Sequence, residues 1–437
     1  MPKRQFPGRG LIWAAAMIPV VVALAAIDPK DVSSAAAGLN YLGRLCGLAG
    51  MVMLLLAAAL SARVPGFDRW FGGLTKLWKT HHFLGAGSLL LLMAHPLLLA
   101  LAETPGSLEA AVTLLFPSIG EWQIWTGWLA LVLMMAFLAP SFAFFGRPDY
   151  QHWKTLHRLA GPAVLLALLH AYQYGRTLPM NAERWLWPML AVLAVGAVSW
   201  RFVFSRRVGR LKYTVERVIS VANNLVELVL KPAGRRHLNY DAGQFVYLAA
   251  FDESLSDGYA EEHPYTLSSA PGEDVLRIAI KGLGDASRAI QTIRPGSRVT
   301  VEGPYGRFFP DDEPERQLWI AGGIGITPFL GRARHLYRQG RSLDVHLIYC
   351  AQDEERARFL DELTAIAEEV DGMQVTPHYF YRQGPLDQDF LVAEVAGPAD
   401  RMAFICGPQP LNDLAKRLLS GLGLSSRNIR TEEFELL

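Results

Sequence analysis

The sequence predicts a six-helix transmembrane bundle, followed by a small antiparallel β-barrel and an α/β domain. Three observations carry that prediction. The first half of the 437-residue chain is a series of long apolar runs with few acids. The second half is mixed in charge and breaks into short β-rich segments. Within it, a glycine-rich turn joins a buried strand to a helix. The expected boundaries are 1–208, 212–311 and 315–437. A net charge of +1 leaves no nucleic-acid footprint. Cys46, Cys350 and Cys406 form neither a disulfide framework nor a Cys-x-x-Cys site.

The apolar runs cover about 11–27, 39–60, 82–101, 122–140, 158–175 and 185–204. Each approaches the roughly 20 residues that a spanning helix needs. The first reads as a retained helix. The alternative is a signal peptide, since Lys3, Arg4 and Arg9 precede it and Ala23-Leu24-Ala25 resembles a cleavage site. Basic residues gather before run one, between runs two and three (Arg63, Arg69, Lys76, Lys79), between four and five (Arg147, Lys154) and after six (Arg206, Arg207, Arg210, Lys212). The alternate loops are acidic. Both termini are therefore expected in the cytoplasm.

Runs three and five share a pattern. His81 and His95 are fourteen residues apart, and His157 and His170 thirteen. At a rise of about 1.5 Å per residue, each pair spans roughly 20 Å. The second histidine of each run is expected on nearly the same face as the first. Two such helices side by side present an inner pair, His81 with His157, and an outer pair, His95 with His170. Facing imidazoles are what a six-coordinate haem iron needs. Histidines within a membrane are costly and tend to be functional. His-x-x-x-Gly recurs at His81…Gly85 and His157…Gly161, which favours His81 over His82 as the ligand. Arg44 lies a few residues into run two, at the depth of the outer pair. It either snorkels to the surface or meets a haem propionate or an anionic acceptor.

The β-rich segments are Tyr213–Val221, Leu225–Lys231, Gln244–Ala249, Leu276–Ala279 and Arg298–Glu302. Among them lies His263-Pro264-Tyr265-Thr266-Leu267-Ser268-Ser269, where an aromatic can stack on a flavin and hydroxyls can bond its polar edge. His263 and Lys281 can meet pyrophosphate. Gly284-Asp285-Ala286-Ser287 opens a helix whose free N–H groups suit phosphate. Farther on, the strand Leu318–Ala321 runs into Gly322-Gly323-Ile324-Gly325-Ile326-Thr327-Pro328, a turn that lets the backbone approach a dinucleotide. Phe404-Ile405-Cys406-Gly407-Pro408 is a second strand end feeding a helix, and its thiol either sits beside a nicotinamide or is core.

Together these residues resemble the NADPH oxidase and ferric reductase family: a ferric-reductase-like haem domain fused to a ferredoxin-NADP reductase-like flavin module. The resemblance runs from about Arg44 to the C-terminus and includes Gly303-Pro304-Tyr305-Gly306. It implies that His263–Thr266 bind FAD, that Gly322–Pro328 and Cys406-Gly407-Pro408 bind NADPH or NADH, and that the four histidines hold two b-type haems. Where such proteins hold the 2′-phosphate of NADPH with Ser and Arg, this chain has Cys350 and Gln352, with Arg356 and Arg382 nearby. The terminal aromatic that covers the flavin corresponds to Phe434, or Leu436 takes its place.

The expected activity is that of an integral-membrane oxidoreductase. NAD(P)H gives a hydride, a haem takes single electrons, and a flavin converts between them. The acceptor is O2, giving superoxide, or a ferric chelate. The other readings are an electron donor for an extracytoplasmic partner protein and a proton-carrying transporter.

Overall fold

A computed structural model describes residues 7–141, 150–175, 177–310 and 314–432. The chain divides into two compact units, Met1–Arg207 and Val208–Leu437.

The first unit is helical: α1 (Pro7–Ala25), α2 (Ala35–Leu60), α3 (Leu74–Glu103), a short α4 (Leu108–Leu115), α5 (Trp122–Leu138), α6 (Tyr150–Leu156), α7 (Ala160–Tyr174) and α8 (Met180–Ser199). Ser34 starts α2 by accepting the amide of Ala37, which satisfies a donor that the first turn leaves free. Large apolar side chains such as Leu90, Leu97, Val132 and Leu165 face outward. In water that would be an aggregation hazard; against lipid it is the ordinary solution.

Among the described residues, four helical stretches are long and apolar enough to cross a membrane: Pro7–Ala25, Ala35–Leu60, Leu74–Glu103 and Trp122–Ser141. Runs five and six differ from the expectation for separate reasons. Helix α7 has only 15 residues, short of the roughly 20 needed. A tight turn at His157–Leu159 and α6 precede it, so the helical path starts earlier. Helix α8 has the length, but its first turns carry Asn181, Glu183 and Arg184.

Helix α2 packs chiefly on α3, and α5 on α7. Gly43, Gly47 and Gly50 form the contact stripe of α2. A Cβ at Gly43 would meet Leu99 at 3.0 Å, and one at Gly50 would meet Leu92 at 2.7 Å. Small residues at this spacing let two helices approach closely in lipid.

The second unit holds two sheets. The first is antiparallel, from β1 (Arg210–Ala222), β2 (Leu225–Pro232), β3 (Phe245–Phe251), β4 (Glu262–Thr266), β5 (Leu276–Lys281) and β6 (Arg298–Tyr305), in the order β4-β3-β6-β1-β2-β5. A bridge between Leu267 and Ile278 brings the end of one edge strand to the other edge. Helix α9 (Asp285–Ala289) follows β5. The second sheet is parallel, from β7 (Arg316–Gly322), β8 (Asp344–Ala351), β9 (Met373–Tyr379), β10 (Met402–Cys406) and β11 (Ile429–Glu432). Helix α10 (Thr327–Gln339) follows β7; α11 (Leu360–Glu369), α12 (Phe380–Gln383), α13 (Gln388–Glu394) and α14 (Gln409–Gly421) follow in chain order. The strand order is β11-β10-β7-β8-β9, so the chain reverses direction across the sheet between β7 and β10. Both faces of this sheet are covered by apolar clusters, as a parallel sheet requires.

Candidate functional site

The four histidines form two facing pairs. The rings of His81 and His157 are 6.2 Å apart between centroids, and those of His95 and His170 are 6.4 Å apart. His81 and His95 stand on α3; His157 lies on the tight turn before α7, and His170 within α7. His82 is exposed beside Phe83.

The same-face expectation suits the fourteen-residue spacing and fails for the thirteen-residue one. Thirteen steps of about 100° leave the rings roughly 140° out of phase. The turn at His157–Leu159 is wound more tightly, at about 120° per residue, and removes roughly 60° of that.

Three of the rings are fixed by backbone carbonyls. His81 Nδ1 donates to Ala57 at 2.8 Å, His95 Nδ1 to Gly43 at 2.8 Å, and His170 Nδ1 to Gln123 at 3.0 Å. A carbonyl can only accept, so each Nδ1 carries the proton and each Nε2 keeps its lone pair. His157 is held by rings instead: Trp153 lies 4.8 Å away and Phe137 meets it edge-on at 5.1 Å. Tyr174 packs on His170 at 5.3 Å, and Gln123, Tyr172, Gln173 and Tyr174 line a shallow open surface there.

Arg44 is neither a free cation nor a plain snorkel. Its guanidinium binds Asp31 at 2.6 Å and lies over the Tyr41 ring at 5.1 Å.

In the second unit the two expected nucleotide turns come together. Gly322–Ile326 and Cys406-Gly407-Pro408 leave the C-terminal ends of neighbouring strands, with Cys406 paired to Ala321. This is the switch point of the sheet, the place where open α/β sheets bind ligands. Gly325 is required by contact: a Cβ there would lie 2.2 Å from the Cys406 carbonyl oxygen. Gly323 is required by its backbone, with φ +54°. Thr327 donates its hydroxyl to the Ile324 carbonyl, and Pro328 sits in the first turn of α10. Cys406 itself is fully buried, and burial pushes its thiol well up, with the Glu432 carboxyl adding to the effect. It packs as core. Glu432 lies opposite it on β11, and burial raises that carboxyl to about 8.

The flavin motif is split by burial. His263, Pro264, Tyr265 and Thr266 lie on β4, an edge strand, with His263 against Glu261 at 3.2 Å. Ser268 and Ser269 were expected to offer hydroxyls to a ligand, but both are fully buried. Ser268 donates to Glu227 at 2.8 Å, and Ser269 pairs with the Tyr240 hydroxyl at 2.7 Å. They hold the module together. Arg334 on α10 completes this knot, donating to Glu227 at 2.8 Å and to Glu362 at 2.6 Å. Sequence reading missed Glu227 and Arg334, because nothing local marks a strand glutamate as buried.

The phosphate role expected at Gly284 and Ser287 is also altered. The Ser287 hydroxyl already accepts from the amides of Leu283 and Gly284, at 2.9 and 2.8 Å. Lys281 is half-buried at the end of β5. Cys350 lies at the end of β8, with Gln352 just past it. Of the neighbouring bases, Arg356 pairs with Asp353, and Arg382 with Glu354. Phe434 and Leu436 lie outside the described residues.

Comparison with known families accounts for this arrangement. The ferric reductase like transmembrane component family matches residues 46–168, an FAD-binding domain family matches 210–308, and an oxidoreductase NAD-binding domain family matches 319–417. The chain thus joins a region matching a ferric reductase like transmembrane component to regions matching FAD-binding and NAD-binding oxidoreductase domains. This fusion protein is similar to an NADPH oxidoreductase of Mycobacterium tuberculosis, 26% identical over 46% of this chain and 54% of that one. It is also similar to a superoxide-generating NADPH oxidase heavy chain of Dictyostelium discoideum, 25% identical over 49% of this chain and 32% of that one. The match thus spans about half or less of each relative. Among solved structures, the FAD/NAD-binding domain of a Vibrio cholerae nitric oxide dioxygenase covers 51% of this chain and 97% of its own, at 24% identity and a TM-score of 0.46. The fusion carries a transmembrane component together with FAD-binding and NAD-binding oxidoreductase domains, and it is a membrane protein.

Proposed function

We propose that this protein moves electrons from cytoplasmic NAD(P)H across the membrane to an acceptor on the far side, O2 being the first choice and superoxide the product. The observation that carries the reading is the separation of the histidine rings. An imidazole nitrogen bound at about 2.0 Å, with about 1.2 Å from nitrogen to ring centre, would allow two rings that share one metal to stand about 6.4 Å apart. The observed separations are 6.2 and 6.4 Å. The tautomers of His81, His95 and His170 agree, since Nδ1 is committed to a carbonyl and Nε2 is left for a metal.

The residues therefore fit two b-type haems, one on His81 and His157, the other on His95 and His170. Bound FAD accepts a hydride and gives up single electrons, which the haems carry. Everything else is positioning by the protein. The α2 and α5 carbonyls orient the imidazoles. The turns at Gly322–Ile326 and Cys406–Pro408 admit the dinucleotide, NADPH or NADH. His263–Thr266 present an aromatic and polar edge to the flavin, and both termini lie in the cytoplasm. His95 and His170 would together hold the outer haem and leave no protein-free position on its iron, so an acceptor would have to be met at the edge of the site.

The second reading is a ferric-chelate reductase. The polar side chains of Gln123, Tyr172, Gln173 and Tyr174, which line a shallow open surface near His170, support it as a place for an acceptor larger than O2 to rest. The test is anaerobic reduction with NADH or NADPH, followed by O2 or ferric chelate, with the haem spectrum observed throughout. Rapid reoxidation by O2 with superoxide release supports the oxidase. Reoxidation by chelate alone supports the reductase. Failure of either nucleotide to reduce haem sinks both.

A further inference from the structure

We propose that Gly47 and Gly127 are positioning residues that admit the imidazoles of His95 and His170 to carbonyls in the middle of helices. The proposal rests on haem ligation by that pair, and its test separates the two.

In an α-helix the carbonyl of residue i already accepts from the amide of residue i+4. Side chains lean toward the helix N-terminus, so the side chain at i+4 covers the turn that holds that carbonyl. A bulky second donor reaches it only if position i+4 is bare. The structure shows this twice, on different helices. His95 Nδ1 donates to Gly43 on α2, and the residue four along is Gly47. His170 Nδ1 donates to Gln123 on α5, and the residue four along is Gly127. A Cβ at Gly47 would lie 2.8 Å from His95 Nδ1 and 3.0 Å from Cε1. A Cβ at Gly127 would lie 2.8 Å from His170 Nδ1 and 2.9 Å from Cε1. A methyl at either place forces the ring to move.

The other histidine that bonds a helix carbonyl shows the alternative. His81 donates to Ala57, within the last four residues of α2 (Ala35–Leu60), where carbonyls lack an intrahelical partner. Residue 61 is Ser, and no glycine is present there. The narrower hydroxyl of Ser88 reaches the Gly50 carbonyl at 2.8 Å although the residue four along is Leu54. The width of the imidazole, not the bond itself, is what calls for glycine. The outer pair thus hangs on shared carbonyls that exist only because two side chains are missing.

The experiment uses the full chain in detergent, with haem quantified per protein and low-spin signals recorded by electron paramagnetic resonance. Gly47→Ala and Gly127→Ala are each expected to drop haem content from two to one, or to shift one of two low-spin signals. Gly38→Ala, on the same helix α2 with no atom within 4 Å of the added Cβ, is expected to keep two haems with wild-type signals. Both glycine variants behaving as wild type would overturn the proposal. So would loss of both haems together, since the effect would not be confined to His95 and His170. Retention of two haems by His95→Ala in the same series would overturn the ligation reading instead, as would wild-type protein without haem.

Discussion

Arg44 donates to Asp31 across 2.6 Å, near the start of α2. This pairing changes what Arg44 can do for an acceptor. A cation near the outer pair would stabilise the negative charge that develops on O2 or would hold an anionic chelate. With Asp31 on it, part of that charge is already spent. Arg44→Ala is expected to keep both haems and to slow reoxidation of the reduced protein by about tenfold, the low end of the roughly 1.5–3 kcal/mol for a hydrogen bond to a charged group. Asp31→Asn should act in the opposite sense, speeding reaction with an anionic ferric chelate. Stopped-flow mixing reads both. Unchanged rates in both variants would make the pair purely structural.

Removal of single histidines should sort the cofactors. His95→Ala or His170→Ala is expected to lose one haem, and His81→Ala or His157→Ala the other. His82→Ala should keep two, because His82 faces outward. Haem stoichiometry with difference spectra decides. Two haems left after His81→Ala, with one lost from His82→Ala, would move the ligand by one residue.

The knot at Glu227 predicts a stability effect without a chemical one. Glu227 is 3% exposed and is satisfied by Ser268 and Arg334. Arg334→Ala leaves the buried Glu227 carboxylate only the Ser268 hydroxyl and the more distant Arg277 at 3.6 Å. The loss should therefore fall below the about 3–5 kcal/mol of a fully broken buried pair. Arg334→Lys keeps the charge but not the fork that spans Glu227 and Glu362, so it should recover only part. Urea unfolding followed by flavin fluorescence measures this. A midpoint unchanged in Arg334→Ala would show that the knot contributes nothing.

Glu432 predicts a pH dependence. Burial raises its carboxyl from the ordinary 4.5 to about 8. Between those values the unfolded chain has lost the proton and the folded chain keeps it. Stability must therefore fall as pH rises through that window and level off above it. Glu432→Gln should flatten the decline between pH 4.5 and 8. Thermal melts of the two proteins across that range make the comparison, and parallel curves would refute the assignment.

Much of this was legible in the sequence. The apolar runs, the β-rich segments and both nucleotide turns follow from periodicity and glycine placement, which are local properties. The paired histidines were visible because cost in lipid makes each one conspicuous. What escaped was set by distant contacts. Ser268 and Ser269 read as ligand hydroxyls because their burial depends on Glu227 and Tyr240, 41 and 29 residues away. Strand β4 read as a motif rather than a strand, since its ladder is supplied by β3. Gly47 sits in an apolar run where glycine reads as helix packing, and its relation to His95 appears only once α2 lies on α3. The turn at His157 is equally silent, because three residues of tighter winding leave no compositional mark.

The carbonyl bonds have a consequence for assembly. His95 on α3 is tied to α2, and His170 on α7 is tied to α5. Each hairpin therefore sets the tilt of its own ring from bonds inside itself. Ring orientation thus rests on bonds within each helix pair rather than on anything that bridges the pairs. If a planar guest is bound there, these bonds would present it with two lone pairs already oriented, so that its capture would resemble docking into a prepared slot.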